Sequence, residues 1–277
     1  MDDSIIKKNC IFLFHLSTGD NFTMYAAVMN YQKIYENVYI YCLYRNILFI
    51  TQLYEKYKNV HIIMLNDPNY NNCLVPENYK NDLIHKIQDY DLIECGYHNN
   101  ESFSYFNNNK HFYFWKSFYM QIELPYEIRY DDDYKDINRN LEKEQILYKN
   151  LIEKYGEKYI FVHDHRNVKY QHCCARKNVD LDINKDIPIF HPNFNYYNDY
   201  PEHKYYHLWN EQLFLSDNLL DYGMIIENAT EIHINDSSFS CFCPYLDLSQ
   251  VKNKSIITNL DVIDYHNSFE DWTVING

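Results

Sequence analysis

The segment around Asp236, Ser237 and Ser238 contains residue types that can bind a phosphate group. It follows Glu231–Asn235, whose polar and apolar residues alternate as they do in a strand. Asp and Ser are common helix N-caps, and apolar residues then recur at helical spacing from Phe239 onward. A strand that ends at a helix presents hydroxyls, unpaired backbone N–H groups and the positive end of a helix dipole, all of which attract phosphate. An ordinary capped core helix explains the same pattern.

The loop from His15 to Asp20 (His-Leu-Ser-Thr-Gly-Asp) places a carboxylate after the first apolar run. Gly19 is one of only five glycines in the chain, and glycine permits a tight turn with close backbone approach. Because α/β sheets bind ligands at the carboxyl ends of their strands, Asp20 is a candidate functional residue. A simple N-cap role is the competing explanation. The loop contains neither a Gly-x-Gly-x-x-Gly fingerprint nor a Walker A sequence.

The segment His163-Asp-His-Arg166 follows a second apolar run. An arginine can donate two hydrogen bonds to a diphosphate, so Arg166 is a candidate phosphate ligand, with an exposed arginine in a solvated turn as the alternative. Metal-ligand residue types also occur in short groups. These are His163 and His165 with His172, Cys173 or Cys174, and the acidic pairs Asp131/Asp133 and Asp180/Asp182. In the first group, the neighbouring Asp164 and Arg166 are unfavourable for a zinc site. The acidic pairs have the composition of solvated loops.

Composition excludes several classes of protein. The net charge of −14 over 277 residues argues against a general nucleic-acid binder, which needs a basic surface. The eight cysteines form no Cys-x-x-Cys pair, so a zinc ribbon or thioredoxin-like motif is not expected. No apolar run approaches the ~20 residues of a membrane span, and the first residues do not form a signal peptide. These features predict a reduced, soluble, cytoplasmic protein.

The apolar patterns predict an α/β protein with two Rossmann-like domains, 1–135 and 136–277. In the first half, strands alternate with helices, which implies a parallel sheet with right-handed crossovers. The predicted strands are 10–16, 38–43, 60–65, 91–95, 159–162, 187–190, 231–235 and 255–257. The predicted helices are 20–34, 47–57, 79–87, 112–122, 141–155 and 205–222, with a polar linker at 130–140.

Taken together, these segments resemble the GT-B glycosyltransferases. His15–Asp20 looks like the first-strand loop of heptosyltransferase-like enzymes, and Val162–Arg166 looks like the His-x-Arg block of fucosyltransferase-type enzymes. Asp236–Ser240 resembles the third block of the latter, which contacts the donor phosphates. Tyr119–Arg129 is similar to small bacterial and large-DNA-virus glycosyltransferases. Asn167 departs from the usual fucosyltransferase block, which leaves the donor open.

The resemblance implies a fold, an activity and a set of site residues. Two domains would face each other across a cleft, the first binding a glycan acceptor and the second a UDP- or GDP-sugar. The sugar would be transferred to a glycan hydroxyl, with inversion and without a metal ion or other cofactor. Asp20 would be the general base, and His15, whose ordinary pKa suits a base near neutral pH, is the next candidate. The donor-binding residues would be His163, Arg166, Glu227, Ser237, Ser238 and Phe239, with Glu227 on a sugar hydroxyl.

Two alternatives stay open at the level of sequence. One is a metal-dependent GT-A transferase that uses Asp180 and Asp182 as metal ligands. The other is a module that binds a nucleotide or a glycan without catalysis. In all three cases the expected partners are small molecules or glycans, with no nucleic acid and no membrane span.

Overall fold

The computed structural model describes residues 7–98, 114–163, 186–192, 215–258 and 269–276. The chain divides into two compact units, Met1–Asn138 and Arg139–Gly277, close to the predicted boundary at residue 135. Each unit contains one β-sheet, and every pair of neighbouring strands in the described part is parallel. The α/β class and the parallel sheets agree with the sequence prediction.

The sheet of the first unit has four strands in the order β3-β2-β1-β4. This is the order of the first four strands of a Rossmann fold. The strands are β1 Lys7–Leu13, β2 Tyr35–Leu43, β3 Val60–Leu65 and β4 Tyr90–Glu94. The helices are α1 Thr18–Tyr31, α2 Ile47–Tyr54, α3 Glu77–Ile84 and α4 Phe114–Gln121. Short 3₁₀ helices are Tyr44–Asn46, Gly96–His98, Tyr126–Tyr130 and Asp132–Tyr134, the last two lying at or beside the start of the predicted linker.

From Cys10 to Leu13, strand β1 is apolar without interruption because both faces of its sheet are covered there. Ile11 and Leu13 pack into one buried cluster with side chains of β2 and β3. Phe12, which points to the opposite face, contacts the rings of Phe14 and Tyr31. A strand buried on one face only would have alternated polar and apolar residues.

The sheet of the second unit has the order β6-β5-β7-β8-β9 among the described strands. Numbered within the unit, this is 2-1-3-4-5, the order of flavodoxin-like folds. The strands are β5 Ile160–His163, β6 Ile189–Phe190, β7 Glu231–Asn235, β8 Asn253–Thr258 and β9 Thr273–Asn276. The helices are α5 Leu141–Tyr155, α6 Gly223–Glu227 and α7 Ser238–Phe242, with 3₁₀ helices Leu219–Tyr222 and Cys243–Tyr245.

The predicted long helix 205–222 is wrong in the part that the structure describes, residues 215–222. Residues 215–218 are not helical, and only a 3₁₀ turn, Leu219–Tyr222, follows; residues 205–214 lie outside the described part. The cause is local hydrogen bonding by polar side chains, which competes with a helix. Ser216 Oγ accepts the N–H of Asn218 (3.1 Å), and Asn218 Oδ1 accepts the N–H of Leu220 (3.1 Å).

A buried ionic network joins the first turn of α5 to the end of α6. The Arg139 guanidinium binds Glu144 (Nη2–Oε2 2.6 Å) and Glu227 (Nη1–Oε1 2.5 Å). The Glu144 carboxylate, with a side-chain exposure of 0%, also accepts the N–H of Met224 at 2.8 Å. A Cβ at position 223 would lie 2.5 Å from Arg139 Nη2, so Gly223 leaves the space that this network occupies.

We expect Arg139→Ala to lower the free energy of unfolding by about 3–5 kcal/mol, because it leaves the buried Glu144 charge without its cation. The matched control is Lys8→Ala, which removes a solvent-exposed ion pair with Asp89 (3.2 Å) and should cost about 0–1 kcal/mol. Urea unfolding followed by circular dichroism measures both. Equal losses in the two variants would show that the network adds nothing beyond a surface ion pair.

Candidate functional site

In each sheet the strand order reverses at one place. In the first unit β2 lies on one side of β1 and β4 on the other; in the second unit β6 and β7 flank β5 in the same way. The connections that leave the two strands at such a switch point diverge and open a crevice at their carboxyl ends, where α/β proteins bind ligands. The candidate sites are therefore the carboxyl ends of β1 and β4 and the carboxyl ends of β5 and β7.

Asp20 lies at the switch point of the first unit, in the first turn of α1. The N-cap of α1 is Ser17, and Asp20 is the third residue of the helix, so the competing explanation of Asp20 as the N-cap is wrong. Ser17 Oγ donates a hydrogen bond to Asp20 Oδ2. Asp20 is 6% exposed. The carboxylate is thus held by its own loop, at a helix end that favours negative charge.

The glycine that this switch point depends on is Gly96, not Gly19. Gly19 is a residue within α1, whereas Gly96, which follows β4, has a φ of +65°. A Cβ on Gly96 would lie 2.6 Å from His15 Nε2 and 2.7 Å from Phe118 Cζ. Both the backbone conformation and the space therefore require glycine. The sequence carries a signal for this turn, because Gly96, one of five glycines, directly follows the predicted strand 91–95.

His15 is a buried structural acceptor. Its Nε2 accepts the N–H of Tyr97 at 3.0 Å, and its ring packs against the rings of Tyr97 (5.0 Å between centroids) and Phe118 (4.8 Å). Burial lowers the pKa of His15 to about 4. The reason for naming His15 as a second candidate base, an ordinary pKa near neutrality, therefore does not hold.

His98 was not singled out from the sequence, yet it joins three segments at this edge. Its Nε2 accepts the N–H of Val75 at 3.4 Å, and its ring lies 6.4 Å from that of His15. Burial, and to a smaller extent the neighbouring His15, lowers the pKa of His98 to about 4. The contact with Val75 is made across 23 residues, so no local sequence signal could have found it.

The switch point of the second unit brings together three residues predicted to bind the donor. His163 ends β5, and its Nδ1 lies 3.2 Å from Ser237 Oγ, in the turn after β7. The His163 ring packs against Phe239 at 4.6 Å and stacks on His191 at 5.7 Å between centroids. His191, buried directly after β6, was missed because the sequence offers only a lone histidine after a short strand.

Ser237, rather than Ser238, caps helix α7. Ser237 Oγ accepts the N–H of Phe239 (3.3 Å), and Ser240 Oγ accepts the N–H of Ser237 (3.0 Å), which forms a capping box. Ser238 is the first residue of the helix. Because α7 has only five residues, its dipole is small, and attraction for a phosphate would come from local N–H and O–H groups.

The other predicted donor residues are placed differently. Glu227 binds Arg139, and its Oε1 also accepts the N–H of Asp247 at 3.1 Å, so a sugar hydroxyl would compete with these partners. Arg166 lies outside the described residues. So do the alternative metal ligands at 164–182. In the acidic stretch, Asp132 and Asp133 form exposed ion pairs with lysines, as in a solvated surface.

No protein-family model, no curated protein and no solved structure matches this chain. Within the five described ranges, no group of three or more His, Cys, Asp or Glu side chains is arranged to hold a metal ion. No helix in the same ranges combines the length and apolar character needed to cross a membrane. The interpretation of the site therefore depends on its own geometry.

His15 and His98 predict a loss of stability in acid, because the fold lowers the pKa of both. Their pKa values are about 4 in the fold and about 6.5 in the unfolded chain, so between these values the unfolded state binds more protons. Stability should be complete above pH 6.5 and fall as the pH drops toward 4, by up to about 1.4 kcal/mol per pH unit for each histidine. Urea unfolding at several pH values measures the slope. His98→Gln should reduce it and the exposed His85→Gln should not; equal slopes in both variants would contradict the assignment.

The capping geometry predicts different effects for two adjacent serines. Ser237→Ala removes the cap and should lower the free energy of unfolding by about 1 kcal/mol, whereas Ser238→Ala should change it far less. Ser237→Gly serves as the matched control, because glycine at an N-cap costs only a few tenths of a kcal/mol. Thermal and urea unfolding measure all three variants. A larger loss of stability in Ser238→Ala than in Ser237→Ala would contradict the assignment of Ser237 as the cap.

Proposed function

We propose that this chain is a GT-B-type glycosyltransferase that moves a sugar from a nucleoside-diphosphate donor to a glycan hydroxyl, with inversion and without a metal ion. The observation that supports it is the position of the candidate residues. Asp20 lies at the switch point of the first sheet, and the His163–Ser237 pair lies at the switch point of the second. These are the places where open α/β sheets bind ligands.

In the first unit, Asp20 is the proposed general base. The acceptor hydroxyl must lose its proton as it attacks the sugar, and a carboxylate within hydrogen-bond reach can remove that proton. The bond from Ser17 fixes the carboxylate orientation before the substrate arrives. A negative group at the start of α1 also makes this edge unfavourable for a phosphate, which fits an acceptor site better than a donor site.

In the second unit, the proposed donor site uses hydroxyl and imidazole groups around the turn after β7. Ser237 Oγ accepts the N–H of Phe239 and lies 3.2 Å from His163 Nδ1. In the complex its hydroxyl would donate to a phosphate oxygen. Ser238 and Arg166 would add further donors. Glu227 is not part of this site, because it binds Arg139 and precedes β7, at the opposite, amino end of that strand. Donors fixed in advance around a leaving diphosphate can supply several kcal/mol of transition-state stabilisation.

A transfer assay with UDP- and GDP-sugars and a panel of glycan acceptors tests the proposal. We expect product in excess EDTA, because protein donors replace a cation at the diphosphate. Product that requires Mn²⁺ would favour the metal-dependent alternative with Asp180 and Asp182. Nucleotide or glycan binding without any product would favour a module that only binds.

The variant Asp20→Asn tests the proposed general base most directly. We expect donor affinity to be retained and turnover to fall by ~10²-fold or more, the usual size of a general-base contribution. Stability should fall by no more than about 1 kcal/mol, since asparagine still accepts the Ser17 bond and only the charge at the helix end is lost.

Asp67→Asn is the matched control, because Asp67 is an exposed carboxylate in the turn after β3, away from the switch point. It should leave turnover unchanged. An Asp20→Asn variant with wild-type turnover would show that Asp20 only orients its loop.

A further inference from the structure

Tyr97 is a partly exposed aromatic ring at the switch point of the first unit. It belongs to the 3₁₀ helix Gly96–His98, directly after β4, and it is 36% exposed. The neighbouring strand at this edge is β1, whose loop carries His15 and leads to Asp20. Tyr97 is one of eight large apolar side chains that are at least 36% exposed within the described residues, and it lies in the turn directly after a strand of the switch point.

The position of the ring is fixed from several directions. The Tyr97 N–H donates to His15 Nε2 at 3.0 Å, and the His15 ring supports the Tyr97 ring at a centroid distance of 5.0 Å and an angle of 31°. The Gly96 N–H donates to Gln121 Oε1 at 2.7 Å. The ring is therefore held in advance, and a ligand that stacks on it does not have to order a mobile loop.

The surroundings of Tyr97 select the kind of ligand. Asp20 lies five residues after His15, which supports the Tyr97 ring, in the first turn of the helix that follows β1. A carboxylate at this edge of the sheet repels phosphate and attracts hydroxyl groups. The exposed ring offers an apolar surface with a negative π face, which suits the weakly positive C–H groups on one face of a pyranose.

We propose that Tyr97 is the platform on which the acceptor sugar stacks, with its reacting hydroxyl directed toward Asp20. This proposal rests on the function proposed above and specifies its acceptor side. His15, in this arrangement, is the positioning residue that supports the platform, which accounts for its burial and for its use of Nε2 as an acceptor. The acceptor class is a neutral saccharide with one apolar pyranose face.

Saturation-transfer NMR with maltose, cellobiose, lactose and chitobiose tests the platform without any need for transfer activity. We expect wild type to bind at least one of these disaccharides through one face of a pyranose ring. Tyr97→Leu keeps the bulk against His15 but lacks a π face, and it should weaken that binding by about two- to tenfold. Tyr97→Phe should retain the affinity, since the ring remains.

Tyr44→Leu is the matched control, because Tyr44 is 50% exposed in the turn after β2, which lies on the side of β1 away from β4. It should bind as wild type does. Wild-type affinity in Tyr97→Leu, no binding of any disaccharide by wild type, or displacement of the disaccharide by UDP or GDP would each overturn the proposal. If the protein binds a saccharide through Tyr97 but transfers no sugar, the role of Tyr97 in binding would be supported and the proposed transferase activity would be contradicted.

Discussion

The parallel pairing of the strands is the constraint on which the rest of the structure depends. Because every described neighbouring pair runs in the same direction, each strand must be followed by a crossover, and all loops that follow strands leave from one edge of their sheet. Reversing the strand order at β1 and at β5 then opens one crevice in each unit. Residues far apart in sequence, such as His163 and Ser237, meet there for this reason alone.

The same constraint explains the pairing of the histidines at these edges. A histidine or carboxylate at a strand end lies beside a low-dielectric core and is costly unless it is paired. His15 and His98 meet this cost by remaining neutral and accepting backbone N–H groups. Away from these edges, Arg139 and Glu144 meet the same cost as ions that satisfy each other. Tyr97, in the turn after β4, keeps 36% of its surface exposed.

Much of the fold could be predicted from the sequence, because local periodicity determined it. Strands β3 and β7 and helix α5 begin and end at the predicted residues, each having a strong apolar pattern and clear flanking residues. The predicted helix 205–222 is wrong at 215–218 because Ser216 and Asn218 form local side-chain hydrogen bonds that compete with a helix.

Less of the two candidate sites than of the fold could be predicted from the sequence. Ser237, His163 and Phe239 were found because each follows or belongs to a recognisable strand-to-helix turn. In the first unit the candidate cap, Asp20, lies three residues after the true cap, Ser17. In the second unit the cap is Ser237, one of the three residues that the sequence offered. His98 and His191 were missed because their importance comes from long-range contacts, and the low pKa of His15 could not be foreseen because burial causes it.

Hydrogen exchange of backbone amides with and without UDP or GDP tests the central claim most directly, namely that the nucleotide donor binds at the switch point of the second sheet. The account predicts that a bound nucleotide slows exchange at the strand ends and turns that contain His163, His191 and residues 236–240, and leaves the turn at Gly96–His98 unchanged. Protection at the amino ends of the strands of the second sheet, or at Asp20 and Tyr97 in the first unit, would contradict it.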